Sequence, residues 1–301
     1  MRDMVGAMTR PVYIHAGAHR TGSSSFQLCL ARNRAVLAEQ GFDVAYPGRD
    51  GVPGGKLRLK LPRPRHGAKR VPEFAASVKA HLERLSRDPE RGLILSEENI
   101  PGPMIHFYEG RFFPASALRL EVMTAALDAP PEHLVYVLRP YDQLFVSAHR
   151  KRAEDNPVTP FDQLVPHFMA MDRGWPELVA EFRDILKPRR LTVLDYAARG
   201  DSRSLLARLV PGLPANMLEE PDEAVNVSAT DAALLELQER YQKGEELSRE
   251  AWKAVLARHA GDREPRGFAA FSEADREVLK ARYDRDLERV AALDGVDLVR
   301  N

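Results

Sequence analysis

The sequence predicts an α/β fold in which a parallel sheet is flanked by helices. Short apolar segments typical of buried strands alternate with longer segments whose apolar residues recur at helical spacing. The first such strand, at 12–14, runs into a glycine-bearing turn and then a helix, the order found in parallel α/β units. We therefore expect one domain over 1–301, with its core at 11–200 and a helical C-terminal region at 226–301.

The predicted elements follow from local patterns in chain order. The first helix should run from about Ser24 to Gln40, where Gly41 is suited to end it. Asn226, Val227 and Ser228 should open the helical C-terminal region, and the strand at 191–194 should be the last one. The remaining predicted strands lie at 42–46, 92–96 and 134–138, and the other helices at 71–87, 118–127, 161–171 and 175–186.

The turn after the first strand has the composition of an anion-binding loop. Gly17 and Gly22 have the spacing of the nucleotide-binding sequence G-x-x-x-x-G-K-[ST], and Ser24 occupies its last position. Ser23 stands where that sequence has lysine, which weakens an ATPase or kinase interpretation. The N–H groups and dipole of the following helix favour an anion, and Arg20 adds a permanent charge. The alternative is an ordinary strand-to-helix turn that contains two glycines.

A second phosphate-binding motif follows the strand at 134–138. Arg139 comes directly after this strand, and Ser147 lies eight residues further on in a helix. A guanidinium matches phosphate oxygens, and a hydroxyl adds a directional donor. Both motifs lie at the carboxyl end of a strand, where open parallel sheets bind ligands. The alternative for Arg139 is a surface ion pair with Asp142.

Two carboxylates at the end of the strand at 92–96 are candidates for acid–base chemistry. Crowding of Glu97 and Glu98 should raise the pKa of one of them. We favour Glu98 as the proton acceptor, then Glu97, with His19 behind them. The alternative is a helix cap or a solvated acidic turn.

These motifs together resemble the sulfotransferase family, which uses 3′-phosphoadenosine 5′-phosphosulfate as sulfuryl donor. The segment from His15 to Gln27, HAGAHRTGSSSFQ, is similar to the 5′-phosphosulfate loop of that family, in its bacterial type. Arg139 and Ser147 are similar to its 3′-phosphate motif. The resemblance implies a fold like that of the P-loop nucleoside triphosphate hydrolases and sulfuryl transfer to a hydroxyl or amine without a metal. The donor-binding residues that it implies are His19, Arg20, Thr21, Gly22, Ser23, Ser24, Arg139 and Ser147.

One departure from the family pattern lies at Arg20, where members usually carry lysine. The resemblance implies that Arg20 stabilises charge on the departing phosphate. Family members use His or Glu as the base, and Glu97 and Glu98 occupy the topological place of the histidine of the cytosolic branch. The alternatives are a non-catalytic nucleotide-binding or regulatory module that kept the fold, and a P-loop kinase. The acceptor would be a small molecule or a carbohydrate.

Composition excludes several other classes. A formal net charge of +0 argues against a general nucleic-acid binder, and no apolar run has the length of a membrane span. The lone cysteine, Cys29, cannot form an internal disulfide and is expected to be a packing residue in a reducing compartment. Residues 1–10 lack the apolar core of a signal peptide. We therefore expect a cytoplasmic protein, and no His/Cys spacing indicates a metal site.

A basic insertion at 49–70 interrupts the alternation of strands and helices. It is rich in proline, glycine, arginine and lysine, and Leu57, Leu59 and Leu61 alternate with basic residues, which allows a short strand or hairpin arm. We consider it a basic flap that covers the donor or attracts an anionic acceptor. The alternative is a solvated, mobile insertion. The aromatic residues of the loop at 101–114 suit either an acceptor pocket or a lid on the core.

Overall fold

Parallel strands form a single sheet of six in the part of the chain that the structure, a computed structural model, describes, namely residues 10–222 and 228–300. The strands are β1 (Val12–His15), β2 (Phe42–Ala45), β3 (Gly92–Ser96), β4 (His133–Val137), β5 (Leu191–Leu194) and β6 (Val296–Val299). Their order across the sheet is β2-β3-β1-β4-β5-β6, and every neighbouring pair is parallel.

Helices cover both faces of this sheet. They are α1 (Ser23–Arg32), α2 (Arg34–Glu39), α3 (Val71–Leu85), α4 (Ser116–Ala126), α5 (Tyr141–Asp155), α6 (Phe161–Met169), α7 (Trp175–Glu181), α8 (Ser202–Leu209), α9 (Asp231–Gln242), α10 (Arg249–Arg258) and α11 (Glu273–Ala291). A 3₁₀ helix spans Met104–Glu109, and a π-helical turn, Phe182–Leu186, extends α7.

The four central strands, β3, β1, β4 and β5, are mostly apolar because both of their faces are buried. In β4, Leu134 and Tyr136 belong to the cluster that packs under α3, α4 and α7, whereas Val135 and Val137 belong to the cluster under α1 and α8. A sheet covered on one face only would show alternation of apolar and polar residues instead. The predicted α/β class, a parallel sheet flanked by helices, is confirmed.

The strand order creates a crevice at the carboxyl ends of the central strands. The chain leaves β1 towards β3 and β2 on one side, and later crosses to β4 on the other side. In open parallel sheets, such a change of direction leaves a gap at the carboxyl ends of the strands. The segments that follow β1, β3 and β4 therefore meet at one place, and these segments hold the motifs found in the sequence.

The predicted helix from Ser24 to Gln40 is wrong in its continuity, because the chain breaks at Asn33 between α1 and α2. The Asn33 side chain donates to the carbonyl oxygens of Cys29 and Glu219, each at 2.8 Å, and accepts from the Glu219 N–H at 2.7 Å. The Asn33 backbone keeps its i→i−4 hydrogen bonds to Cys29 and Leu37, so the interruption is confined to this residue, and helical periodicity carries no signal of its contacts to a distant segment.

The strand at 191–194 is not the last one. Val296–Val299 pairs in parallel with β5 and forms the edge strand β6, so the region after 226 is not helical throughout. The pattern of β6 is weak because an edge strand is only half buried. Asn226 and Val227, predicted to open this region, lie outside the described residues.

Cys29 is a packing residue, as predicted. It is fully buried in the cluster under α1, and burial raises the pKa of its thiol to about 12. A neutral thiol of this kind is unreactive. Within 10–222 and 228–300, no helix combines the length and the apolar character needed to cross a bilayer.

His149 of α5 is a buried titratable group without hydrogen bonds to protein. Its ring packs against Phe161 and Phe268, and Nδ1 has no partner among the described residues. Burial, assisted by Arg150 and Arg152, lowers the pKa of His149 from 6.5 to about 4. Between these two pH values the unfolded chain binds more protons at this position than the folded protein does.

We expect His149→Phe to flatten the acid side of the stability profile. The contribution of neutral His149 is complete above pH 6.5 and is lost as the pH falls towards about 4. After allowance for solvent screening, the wild type should lose on the order of 1 kcal/mol more than the variant between about pH 7 and pH 5. Urea unfolding at both pH values measures this, and equal losses in the two proteins would contradict it.

Candidate functional site

Two glycines shape the loop that follows β1. Gly17 and Gly22 have φ angles of 98° and 87°, a left-handed conformation that favours glycine. A Cβ atom on Gly17 would lie 2.7 Å from the Cβ of Glu98, and one on Gly22 would lie 2.9 Å from Nη2 of Arg199. Both positions therefore favour glycine for two reasons, the positive φ angle and the lack of space for a side chain.

Hydroxyl groups hold this loop in shape from within. The Thr21 hydroxyl donates to the Ala18 carbonyl oxygen at 2.7 Å, and the Ser23 hydroxyl donates to the same oxygen at 3.2 Å. Thr21 is buried, so its predicted contact with a ligand is not supported by its side chain. Helix α1 then begins directly after Gly22 and has no acidic residue in its first turn.

A cavity of about 520 Å³ opens where the segments after β1, β3 and β4 meet. It collects residues from both phosphate-binding motifs and from the acidic pair. Two predicted residues, Thr21 and Glu97, do not line it. The predicted residues that do are His19, Arg20, Gly22, Ser23, Ser24, Glu98, Arg139 and Ser147.

The two motifs contact each other inside this cavity. Arg20 Nε donates to the Ser147 hydroxyl at 2.8 Å, and Nη2 of the same guanidinium donates to the Ser228 hydroxyl at 3.0 Å. Arg139 donates to the Arg20 carbonyl oxygen, and its guanidinium lies 5.1 Å from the centre of the Tyr196 ring. Residues 127 positions apart in the chain thus form one cluster.

Arg20 and Arg139 are partly buried cations without an ion pair to any described residue. Burial lowers the pKa of both guanidinium groups, and Arg139 Nε is buried with no hydrogen-bond partner. The ion pair with Asp142 that we considered for Arg139 is not formed. A buried cation without a counter-charge is costly, and a bound anion offsets that cost.

The other cations of the cavity are already neutralised. Lys151 pairs with Glu154 at 2.6 Å, and Arg249 pairs with Asp50. The contrast singles out Arg20 and Arg139 as the positions with free capacity for negative charge. Together with the start of α1, whose dipole favours negative charge, they make this cavity suited to an anionic ligand.

The acidic pair after β3 is split between two environments. Glu98 lies in the cavity, where it pairs with Arg49 and accepts from Gln27 Nε2 at 3.3 Å. Burial opposes its charge most strongly, but Arg49, His19, a backbone hydrogen bond and His15 together outweigh burial, and the pKa of Glu98 is lowered. Glu97 accepts from the N–H and the amide of Asn99 at 2.9 and 3.1 Å, whereas burial and the charge of Glu98 raise its pKa. Crowding thus raises one pKa of the pair, that of Glu97.

His19 is held in one tautomer. Its Nε2 lies 2.8 Å from the Gly102 carbonyl oxygen, which can only accept, so Nε2 carries the proton. No described residue donates to Nδ1, and the ring stacks on Phe113 with centroids 6.0 Å apart. Burial lowers the pKa of His19, which keeps the ring neutral near pH 7. A neutral imidazole with a free Nδ1 is a competent proton acceptor.

A second cavity of about 660 Å³ adjoins the first. Gly102 and Phe113, the two residues that contact the His19 ring, line this second cavity, so His19 stands in the wall between the two. Glu97 also lines it. The two carboxylates of the acidic pair therefore face different cavities.

The basic insertion at 49–70 forms one side of the second cavity. The predicted strand or hairpin is not formed, since the isolated bridge Arg49–Val52 is the only β-pairing described within it. The chain is extended, and Leu57 and Leu61 are buried in the core while Leu59 is partly buried. The alternation of leucines is thus correctly interpreted as an extended segment, but the segment lies on the core without strand partners.

Several residues of the first cavity were not identified from sequence. Tyr196 follows β5 as Arg139 follows β4, and this shared position at a strand end is a signal that would have identified it. Ser228 carries no such signal, because it lies 208 residues from Arg20 and reaches the cavity only through the folded chain.

The site is interpreted from its own geometry and charge. Neither a family model nor a curated protein matches this chain. Among the described residues, no group of three His, Cys, Asp or Glu side chains is placed to hold a metal ion. The first cavity places two guanidiniums beside a neutral imidazole, which suits an anionic ligand.

The close approach at Gly17 gives a test of this geometry. We expect Gly17→Ala to destabilise the protein by about 1–3 kcal/mol more than Gly41→Ala does, because both positions need positive φ but only Gly17 has a neighbour in the way. Gly41 is the matched control, with φ of 82° and nothing within 4 Å of an added Cβ. Equal losses in urea unfolding would show that the contact with Glu98 is not tight.

Proposed function

We propose that the protein is a sulfotransferase that moves a sulfuryl group from 3′-phosphoadenosine 5′-phosphosulfate to a hydroxyl or amine acceptor, on a P-loop-like nucleotide site. The observation that carries this proposal is the pair of uncompensated guanidiniums, Arg20 and Arg139, which meet across one cavity at the start of α1. The donor has two separated anionic groups, and the cavity has two cationic subsites.

Each subsite has a natural occupant. The start of α1, with Ser23 and Ser24, suits the 5′-phosphosulfate, because helix N–H groups bind phosphate oxygens. Arg139 and Ser147 suit the 3′-phosphate. Arg20 lies between them and contacts Ser147 directly.

The proposed reaction is a direct displacement at sulfur. The acceptor oxygen or nitrogen forms a bond to sulfur, and the bond from sulfur to the bridging phosphate oxygen breaks. That oxygen keeps the electron pair, and the acceptor proton passes to a base. Arg20 and the N–H groups of α1 stabilise the charge on the departing phosphate.

We propose His19 as that base, ahead of the two carboxylates. Glu98 is paired with Arg49 and has a lowered pKa, which makes it a weak proton acceptor. His19 is neutral, its tautomer is fixed by Gly102, and the charge of Glu98 favours its protonated form. These observations support the reverse of the order expected from sequence, with Glu98 in the proposed role of stabilising the imidazolium.

A non-catalytic nucleotide-binding module is the second candidate. Arg20 is engaged by Ser147 and Ser228, and the lysine typical of phosphate loops is replaced by Ser23. Both observations agree with a site that binds the nucleotide without transferring a group. The buried thiol of Cys29 agrees with a cytoplasmic location under either proposal.

We expect the protein to bind 3′-phosphoadenosine 5′-phosphate far more tightly than ADP, because ADP has no 3′-phosphate for Arg139 and Ser147. Arg139→Ala should cost about 1.5–3 kcal/mol of binding free energy for the first nucleotide, the range for hydrogen bonds to charged groups. Isothermal titration calorimetry with both nucleotides measures the ratio.

The ratio separates recognition from folding, since Arg139 also supports the Arg20 carbonyl. A purely structural role would weaken both nucleotides alike, whereas recognition lowers only the preference for the 3′-phosphate. Ser147→Ala, which removes one hydroxyl, is the milder companion variant. Equal affinity of the wild type for ADP would refute the assignment.

Replacement of the proposed base should slow turnover without weakening the nucleotide. His19→Gln keeps an N–H donor near the position of Nε2 and removes Nδ1, so we expect turnover to fall about 10²–10⁴-fold. The acid limb of the pH profile of kcat/KM should also disappear, because that limb reports protonation of His19. Glu97→Gln is the matched control and should retain most activity.

A larger loss in Glu98→Gln than in His19→Gln would return the role of base to Glu98. Arg20→Lys then separates the enzyme from the binding module. Transfer by the wild type or by Arg20→Lys to members of a broad acceptor panel supports an enzyme. Nucleotide binding by both proteins without transfer by either supports the module.

A further inference from the structure

The second cavity has the size and walls of a small-molecule site. Its volume of about 660 Å³ falls within the range of pockets that enclose drug-sized ligands. Glu97 is the one carboxylate among its lining residues. Most of the wall is apolar, with contributions from Leu59, Leu61, Pro62, Ile105 and Phe113.

Three arginines of the basic insertion line this cavity and have no counter-charge. Arg58, Arg63 and Arg65 are exposed and form no ion pair with any described residue. Arg70 of the same insertion differs, because it pairs with Glu73 at 2.7 Å. The insertion therefore brings three of its unpaired cations to the border of the cavity, whereas Lys56, Lys60 and Lys69, which also form no ion pair with any described residue, do not line it.

The arginines are carried by a segment that is fixed to the core. Arg119 of α4 is buried and donates to the Pro62 carbonyl at 2.6 Å and to the Ile100 carbonyl at 2.9 Å. The Arg58 N–H donates to His81 Nε2 at 2.9 Å. With Leu61 buried beneath it, the segment has a defined position over the cavity, which argues against a purely solvated insertion.

The cavity also reaches the proposed site of chemistry. Its wall includes Gly102 and Phe113, which contact one side of the His19 ring. His19 itself lines the first cavity. A ligand with a hydroxyl at this end would present it to Gly102 and Phe113, the two residues that contact the His19 ring. Its opposite end would lie towards the arginines.

We propose that the second cavity is the acceptor site and that the acceptor is an amphipathic anion. It would have an apolar body of about two fused rings, a hydroxyl at one end, and a carboxylate, sulfonate or phosphate at the other. This inference rests on the proposed sulfotransferase function. The apolar wall binds the ring body, Arg58, Arg63 and Arg65 attract the anionic group, and the hydroxyl lies at the Gly102 and Phe113 end, towards the wall that separates this cavity from His19.

The test compares two acceptors that differ by one charged group, 6-hydroxy-2-naphthoate and its uncharged counterpart 2-naphthol. With saturating donor, we expect the naphthoate to have a KM at least about tenfold lower, a factor that corresponds to about 1.4 kcal/mol. The double variant Arg63→Gln/Arg65→Gln should remove most of this preference by raising the KM for the naphthoate. The preference should also shrink at high salt, because exposed charges are screened.

A control with the same change in net charge isolates the local contact. Lys56 and Lys69 belong to the same insertion and are exposed, but they do not line the cavity. Lys56→Gln/Lys69→Gln should therefore keep the preference for the naphthoate. Loss of the preference in both double variants would show a long-range field only and would overturn the assignment of a binding site.

Direct titration separates failure of this inference from failure of the proposed function. Calorimetry of the two naphthalenes is done with the protein alone and with the protein saturated by 3′-phosphoadenosine 5′-phosphate. If the nucleotide binds and the uncharged naphthol is sulfated as efficiently as the naphthoate, the acceptor class is wrong and the sulfotransferase stands. If the nucleotide does not bind and no transfer occurs, the proposed function is wrong. Titration of the naphthoate against the free protein and the Arg63/Arg65 variant then supports or refutes the anion site by itself.

Discussion

The geometry of the site depends on one close approach, that of Gly17 to Cα and Cβ of Glu98. The loop after β1 can lie against the segment after β3 only because position 17 has no side chain. Glu98 therefore lies at the first cavity. There it pairs with Arg49, the first residue of the basic insertion. The same loop then carries His19 and Arg20. The absence of a side chain at position 17 thus lets the loop after β1, the segment after β3 and the start of the basic insertion lie close together.

Most cations that line the first cavity are paired with a carboxylate, but two of them are not. Lys151, Arg249 and Arg49 each have a carboxylate partner, whereas Arg20 and Arg139 have hydroxyl and carbonyl oxygens. Oxygen dipoles satisfy hydrogen bonding but do not neutralise charge. Within residues 10–222 and 228–300, positive charge at this place has no carboxylate partner, and an anionic ligand that neutralises it stabilises the folded state.

Much of the fold followed from local sequence, because buried parallel strands are mostly apolar and glycine turns have strict requirements. Both motifs lie at the strand ends predicted for them, and β3 and β5 have their predicted bounds. What the sequence could not show depends on distant partners. Asn33 interrupts a helix and contacts Glu219, and Ser228 joins a cluster far from it in the chain. The opposite pKa shifts of Glu97 and Glu98 likewise depend on the different surroundings of the two side chains, which line different cavities. Two adjacent glutamates in a sequence do not indicate this difference.

The Arg20 cluster also has a consequence for how the chain is held together. Arg20 and Ser147 are 127 residues apart, and Arg20 and Ser228 are 208 apart. An anion bound to this cluster acts as a reversible cross-link, and the entropy of closing such long loops makes it a substantial one. Occupancy of the cavity should then slow opening of the C-terminal helices, although they lie outside the sheet. The ligand would serve as a structural member of the fold while it is bound.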